Sequence, residues 1–169
     1  MTATGVSGSV SALQAALAAE DAAIFGYGVA GAHLAGASQS AAEQDWTSHN
    51  EARDTLTAMI SALGATPVAA LAFYRLPFAV HDAASASALA ASLEDGVTRA
   101  YLGLVAVADQ QLRTFGALAM QVSAERAAFW RGSTQAFPGL VPLRACSQTY
   151  GSDVDEDQLG VDSGDVAVV

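Results

Sequence analysis

Apolar side chains recur at alternating steps of three and four residues in four long segments of the chain. This is the spacing of an amphipathic helix that buries one face. The segments run from about Val10 to Ser38, from Ser40 to Leu63, from Ala83 to Ala108 and from Gln110 to Arg131. No sustained apolar–polar alternation of the kind that indicates strands accompanies them. The pattern therefore predicts an all-α protein with four helices.

Residues that are favoured at the ends of helices occur near the boundaries of these segments. Two pairs match the capping box, in which a side chain and its partner three residues later satisfy the first backbone N–H groups: Ser11 with Gln14, and Ser40 with Glu43. Asp82 is placed to cap the third helix. Gly64 and Gly132 are placed to end the second and fourth helices, because glycine readily adopts the left-handed conformation found there.

The connections predict the topology. Short loops join the first helix to the second and the third to the fourth, so that each pair forms an antiparallel hairpin. The connector 64–82 is long, and at about 3.3 Å per residue it can run the length of the bundle. We therefore expect a four-helix antiparallel bundle of the ferritin-like kind, formed by residues 1–140. The acidic remainder, 141–169, is predicted to be a disordered tail.

An ionisable residue interrupts the apolar stripe of each predicted helix near its midpoint. The four residues, in chain order, are Glu20, His49, Glu94 and Glu125. Because the midpoints of antiparallel helices lie at one level, the four side chains are predicted to meet inside the bundle. This cluster is the candidate site.

Carboxylates in an apolar interior are costly unless they are paired, protonated or bound to a cation. A divalent cation is one solution, and carboxylate and imidazole ligands suit Fe or Mn. The other solution is a metal-free polar network in which Arg53, His49 and the hydroxyls of Tyr27 and Tyr101 compensate the acids. Asp45, four residues before His49, is a further candidate to turn inward. The residues leave both solutions open.

The chain resembles the ferritin-like superfamily in helix order, in its crossover and in the segments Ala-Glu-Asp-Ala-Ala-Ile-Phe-Gly-Tyr (19–27) and Leu-Glu-Asp-Gly-Val (93–97). It looks still more like an alanine-rich bacterial family of ferritin-like domains of unknown function, through Leu76-Pro77-Phe78 and Ala136-Phe137-Pro138-Gly139-Leu140 as well. The ferritin-like plan implies a di-iron centre with a Glu on helices 1 and 3 and Glu-x-x-His on helices 2 and 4. Trp46 and Ala128 replace two of those ligands.

The composition of the chain indicates which kinds of partner it can bind. The formal net charge is −10, and six of the seventeen acidic residues lie beyond residue 152. No basic patch is evident, which argues against nucleic acid, and no apolar run is solid enough for a membrane span.

The single cysteine, Cys146, excludes an internal disulfide and fits a cytoplasmic location. A homodimer is expected by analogy with ferritin-like proteins, and the acidic tail is a candidate docking segment for a protein partner.

Two functions from different classes follow. One is a non-catalytic bundle that keeps a degenerate, metal-free core site. The other is an Fe- or Mn-binding oxidoreductase or iron-handling protein that uses Glu20, His49, Glu94 and Glu125. Whether the chain is an enzyme, and which residues would be catalytic, stays open at this point.

Overall fold

The computed structural model describes residues 3–136, and these residues form four α-helices and no strand. The helices are α1 (Ala3–Gly31), α2 (Gly36–Ala62), α3 (Ala83–Val105) and α4 (Gln110–Arg131). The prediction of an all-α, four-helix fold is confirmed. The predicted tail, 141–169, lies outside the described residues.

Two of the three predicted N-terminal caps are wrong. The first helix begins at Ala3 rather than near Val10, so that Ser11 and Gln14 lie within it. The second begins at Gly36, and its N-cap residue, Ala35, makes no side-chain cap. The Gln14 amide instead reaches the connector, where it donates to the carbonyl of Thr66 (2.7 Å) and accepts from the Val68 N–H (2.8 Å). Gln14 thus holds the connector against α1.

The predicted residues at the start of α3 and after α2 and α4 are confirmed, whereas α1 ends at Gly31 rather than Ser38 and α3 at Val105 rather than Ala108. Asp82 caps α3 by accepting from the Ser85 N–H at 2.8 Å, and the Ser85 hydroxyl completes a capping box. These hydrogen bonds hold the pKa of Asp82 below its ordinary value. Gly64 (φ 77°) and Gly132 (φ 72°) follow α2 and α4 in the left-handed conformation that side chains disfavour.

The four helices form two hairpins. α1 packs against α2, α3 packs against α4, and α1 joins the hairpins by packing against α3. Residues 63–82 connect the two hairpins, with Tyr74 buried and the ring of Phe25 packed against those of Phe73 and Tyr74. α2 and α4 are not closely packed, and this separation opens a cleft toward the middle of the bundle.

The core consists of leucine, alanine and aromatic side chains from α1 and α3, with Leu56 and Ile60 from α2. The apolar stripe of α4 that the sequence predicts to face the core includes Leu118 and Phe129, and this prediction is wrong, because the two side chains are 60% and 63% exposed. α4 instead buries small residues and one tryptophan: Gly116, Ser123, Ala127 and Trp130. A Cβ at Gly116 would lie 2.7 Å from that of Leu104, so the glycine permits close contact with α3.

None of the helices in the described part of the chain is both long and apolar enough to cross a membrane.

Candidate functional site

His49 lies between two carboxylates at mid-height in the bundle. Its Nδ1 is 2.6 Å from Oε2 of Glu20 on α1, and its Nε2 is 3.1 Å from Oε1 of Glu94 on α3. All three side chains are buried, with His49 1% exposed and Glu94 fully inaccessible. Three of the four residues that the sequence singled out therefore meet inside the bundle.

Two tyrosine hydroxyls complete the cluster. Tyr27 donates to Oε1 of Glu94 and Tyr101 donates to Oε1 of Glu20, each at 2.7 Å. Burial, together with the charge of the neighbouring carboxylate, raises the pKa of both phenols above the ordinary value, so both remain protonated donors. The predicted placement of Tyr27 and Tyr101 beside the acids agrees with this geometry.

Asp45 extends the network to α4. Its Oδ2 accepts from the Trp130 indole N–H at 2.9 Å and lies 3.3 Å from the Tyr27 hydroxyl. Its Oδ1 forms an ion pair with Arg126 at 2.9 Å. Sequence reasoning missed Arg126 and Trp130. A signal was present, since the two residues are four apart and therefore share a helix face.

The charge state of His49 follows from its partners. Burial disfavours the charged imidazolium, but the hydrogen bonds to Glu20 and Glu94 and the charges of those carboxylates outweigh it, and the pKa of His49 is raised to about 9. At neutral pH the ring therefore carries two N–H donors and a positive charge. This internal cation compensates part of the negative charge of the two glutamates.

The structure corrects two of the predicted positions. Glu125 does not join the cluster, because its side chain is exposed on α4 and accepts from Gln121 at 2.9 Å. Arg53 does not contact the cluster but pairs with the exposed Asp54 at 2.8 Å. Its charge acts instead on Asp21, whose pKa is raised by burial and lowered in part by Arg53. Trp46, which stands where the ferritin-like plan has a glutamate, is 43% exposed.

Glu20 and His49 border the cleft between α2 and α4. The cleft has a volume of about 260 Å³ and is otherwise lined mainly by apolar residues, with Arg126 at one side. Behind it, Oε2 of Glu94 is buried and has no hydrogen-bond partner. A buried carboxylate oxygen without a donor is costly, so this atom is the one unsatisfied acceptor within the cluster.

The donor set fits a metal ion only in part. Glu20, His49 and Glu94 are oxygen and nitrogen donors of the kind that suit Fe or Mn. However, both ring nitrogens of His49 face carboxylate oxygens, and a protonated nitrogen has no lone pair to offer a metal.

Comparisons with known proteins place the chain in a family. Residues 12–142 match the model of a domain of unknown function, DUF4439, and the chain belongs to that family. Its fold is similar to that of a conserved hypothetical protein, rv2844, from Mycobacterium tuberculosis, with a TM-score of 0.72 and 31% sequence identity. That match covers 78% of this chain and 98% of the other. No curated protein matches the chain.

Proposed function

We propose that this protein is a non-catalytic bundle of the ferritin-like kind, in which the imidazolium of His49 occupies the central cationic position of a metal-free core network. The role of the network is then structural, and the bundle serves as a scaffold for binding. The observation that carries this proposal is the pairing of both His49 ring nitrogens with carboxylates, at 2.6 Å and 3.1 Å.

The connectivity of the network supports a structural role. Hydrogen bonds run from Tyr101 through Glu20, His49 and Glu94 to Tyr27. Asp45 lies beside the Tyr27 hydroxyl and accepts a hydrogen bond from the indole of Trp130 on α4. One set of contacts therefore joins all four helices, including α2 and α4, which otherwise pack loosely. Buried polar groups that are mutually satisfied can specify one arrangement of a core.

The second candidate is an Fe- or Mn-binding protein, with oxidoreductase or iron-handling activity. The unpartnered Oε2 of Glu94 favours it, because an additional cation would satisfy that oxygen. Glu20, His49 and Glu94 would hold the ion, and Glu125 would not take part. His49 would first have to lose a proton, so that metal affinity would rise with pH.

Metal analysis separates the two candidates. We would purify the wild-type chain and the Glu20→Gln and Glu125→Gln variants without chelator, and measure Fe and Mn by mass spectrometry. Calorimetric titration with Mn(II), and with Fe(II) under anaerobic conditions, would follow. Glu125→Gln is the matched control, because Glu125 is exposed on α4. The proposal predicts substoichiometric metal and the same weak titration for all three proteins.

About one metal ion per chain in the wild type and in Glu125→Gln, but not in Glu20→Gln, would contradict the proposal and support the second candidate. Circular dichroism would show that each variant is folded before the comparison is made.

The homodimer remains a proposal as well. It is supported by an apolar face on α4, where Leu118, Val122 and Phe129 are exposed. Exposed apolar surface of this kind often indicates a protein interface. Sedimentation of the wild type and of Leu118→Glu tests it: a dimer mass in the wild type and a monomer mass in the variant are expected, and a wild-type monomer would contradict the dimer.

A further inference from the structure

A small pocket lies between α1 and α2, over the side chain of Tyr27. It has a volume of about 210 Å³, and its lining comes from residues 27–31 of α1 and residues 39–46 of α2. A cavity of about 150 Å³ is large enough to hold benzene, so this pocket can hold a molecule of similar or slightly larger size. Among the described residues that line it, Tyr27 alone also belongs to the polar network.

Two glycines of α1 make the space for this pocket. Gly28 and Gly31 are three residues apart, both line the pocket, and a Cβ at either position would meet no atom within 4 Å. Glycine disfavours a helix interior relative to alanine, and Gly28 lies inside α1. The helix therefore has its least favoured ordinary residue at a position where a side chain would narrow the pocket.

The opposite wall of the pocket is one face of α2. Gln39, Glu43 and Trp46 follow one another at steps of four and three residues, which places them on the same side of the helix. All three are exposed, and Trp46, the largest side chain of α2, is 43% exposed. Tyr27 and Ala42, each 2% exposed, form the floor. The pocket thus combines a buried aromatic floor with an indole and a carboxylate at its wall.

An indole beside a carboxylate favours a cationic ligand. The faces of indole and phenol rings attract ammonium groups, and the attraction is stronger where water is excluded. Glu43, three residues before Trp46, adds a carboxylate at the same wall, and its charge attracts a cation and repels an anion. Alkyl groups on an ammonium nitrogen can also pack against aromatic surface, so an alkylated ammonium suits this lining better than a hydrated inorganic cation does.

The charges behind the floor have the same preference. The Tyr27 hydroxyl donates to Glu94 at 2.7 Å, and its oxygen lies 3.3 Å from Oδ2 of Asp45. The network to which Tyr27 belongs contains three carboxylates and two basic side chains: Glu20, Glu94, Asp45, His49 and Arg126. Its net charge is negative whether or not His49 is protonated, so the potential at the floor of the pocket also favours a cation.

We propose that this pocket binds a small alkylated ammonium ion, with its positive nitrogen against the Trp46 indole and close to the Glu43 carboxylate. The site is distinct from the one that would hold a metal ion, because Glu20, His49 and Glu94 do not line this pocket. The result of its test is therefore read independently of the metal analysis.

Titration of the full chain with choline at constant ionic strength tests the proposal. The indole N–H signal of Trp46 in nitrogen-15 NMR spectra, assigned with Trp46→Phe, reports on the pocket. The neutral comparison is 3,3-dimethylbutan-1-ol, which has the shape of choline with a carbon atom in place of the nitrogen. We expect choline to shift the Trp46 signal saturably, with one choline bound per chain, and the alcohol to bind about threefold or more weakly.

Two variants with the same change in net charge test the carboxylate. Glu43→Gln removes the charge at the wall of the pocket and is expected to weaken choline binding about threefold or more. Glu51→Gln is the matched control, because Glu51 is an exposed residue of α2 that does not line the pocket. That variant is expected to bind choline as the wild type does.

Gly28→Leu tests the space itself. Its side chain enters the open volume of the pocket, and leucine favours helix more than glycine does, so the variant is expected to fold and to lose choline binding. Gly8→Leu is the matched control, since Gly8 is an exposed glycine of the same helix that also has open space around it and does not line the pocket. It is expected to bind as the wild type does.

Four results would overturn the proposal: no saturable shift of the Trp46 signal by choline, equal binding of choline and the neutral alcohol, equal effects of Glu43→Gln and Glu51→Gln, or unchanged binding by a folded Gly28→Leu variant. A Trp46 signal that changes with protein concentration and not with choline would also contradict it, and would assign the exposed indole to an interface between two copies of the chain.

Discussion

A Cβ placed on Gly26 of α1 would lie 2.5 Å from Cδ1 of Leu93 on α3. Real Cβ atoms do not approach another carbon so closely, so any larger residue at position 26 would force the Leu93 side chain out of its present position. Leu93 immediately precedes Glu94, and Gly26 immediately precedes Tyr27. This close contact therefore lies directly beside the hydrogen bond between Tyr27 and Glu94.

Gly26→Ala is expected to destabilise the protein by about 1–3 kcal/mol, the usual cost of overpacking a core. Gly28→Ala is the control, because it lies on the same helix, is exposed and has open space around its Cβ. That variant is expected to gain stability by about 0.5–1 kcal/mol, since alanine favours helix. Urea unfolding measures both. Equal effects from the two substitutions would show that α1 and α3 do not pack as described.

Removal of either buried phenol hydroxyl is expected to take away one of the two hydrogen bonds that the neighbouring carboxylate accepts, the other being from His49. Tyr27→Phe and Tyr101→Phe should each lower the free energy of unfolding by about 1.5–3 kcal/mol, the range for hydrogen bonds to charged groups. Tyr74→Phe is the comparison, because that hydroxyl bonds only a neutral backbone N–H in the described structure. Its cost should be about 0.5–1.5 kcal/mol. Equal losses in all three variants would argue against charged partners for Tyr27 and Tyr101.

The ion pair between Arg126 and Asp45 is expected to contribute more than the pair between Arg53 and Asp54. The side chains of the first pair are 23% and 14% exposed, whereas that of Asp54 is 72% exposed. Solvent and salt screen the exposed pair, which should contribute about 0–1 kcal/mol. Two double-mutant cycles, Arg126→Gln with Asp45→Asn and Arg53→Gln with Asp54→Asn, measure the coupling energies. A larger coupling energy for the second pair would contradict this ranking of the two ion pairs by burial.

The sequence predicted three members of the cluster correctly because α1, α2 and α3 place large apolar residues on the face that turns inward. In those helices a polar interruption of the stripe marks a buried polar residue, as Glu20, His49 and Glu94 show. α4 differs, because its inward face is made of small residues such as Gly116 and Ala127. Leu118, Val122 and Phe129 of α4 are exposed, and the stripe that contains Glu125 follows these three residues.

The capping errors have a related cause. A serine followed three residues later by Gln or Glu fits a helix start, but it fits a helix interior equally well when the partner bonds elsewhere. Gln14 bonds the connector at Thr66 and Val68, a contact more than fifty residues away in sequence. Such tertiary contacts cannot be read from a local pattern, whereas Asp82 and Ser85 form a cap entirely from neighbouring residues.

The contribution of His49 to stability is expected to depend on pH. Its folded-state pKa of about 9 lies above the ordinary value of 6.5, so the contribution is fully present below pH 6.5 and is lost as pH rises through about 9. The difference in unfolding free energy between the wild type and His49→Gln should therefore shrink by about 3 kcal/mol over this range. A difference that grows with pH would reverse the sign of the argument.

The protonation state of His49 at neutral pH tests the central claim most directly, because the proposed cation is the imidazolium itself. Nitrogen-15 spectra of the imidazole rings, with His49 assigned through His49→Gln, report whether each ring nitrogen carries a proton. We predict that both nitrogens are protonated at neutral pH and that the ring titrates near pH 9. A His49 ring with one unprotonated nitrogen at neutral pH would contradict the account and leave a lone pair for a metal ion.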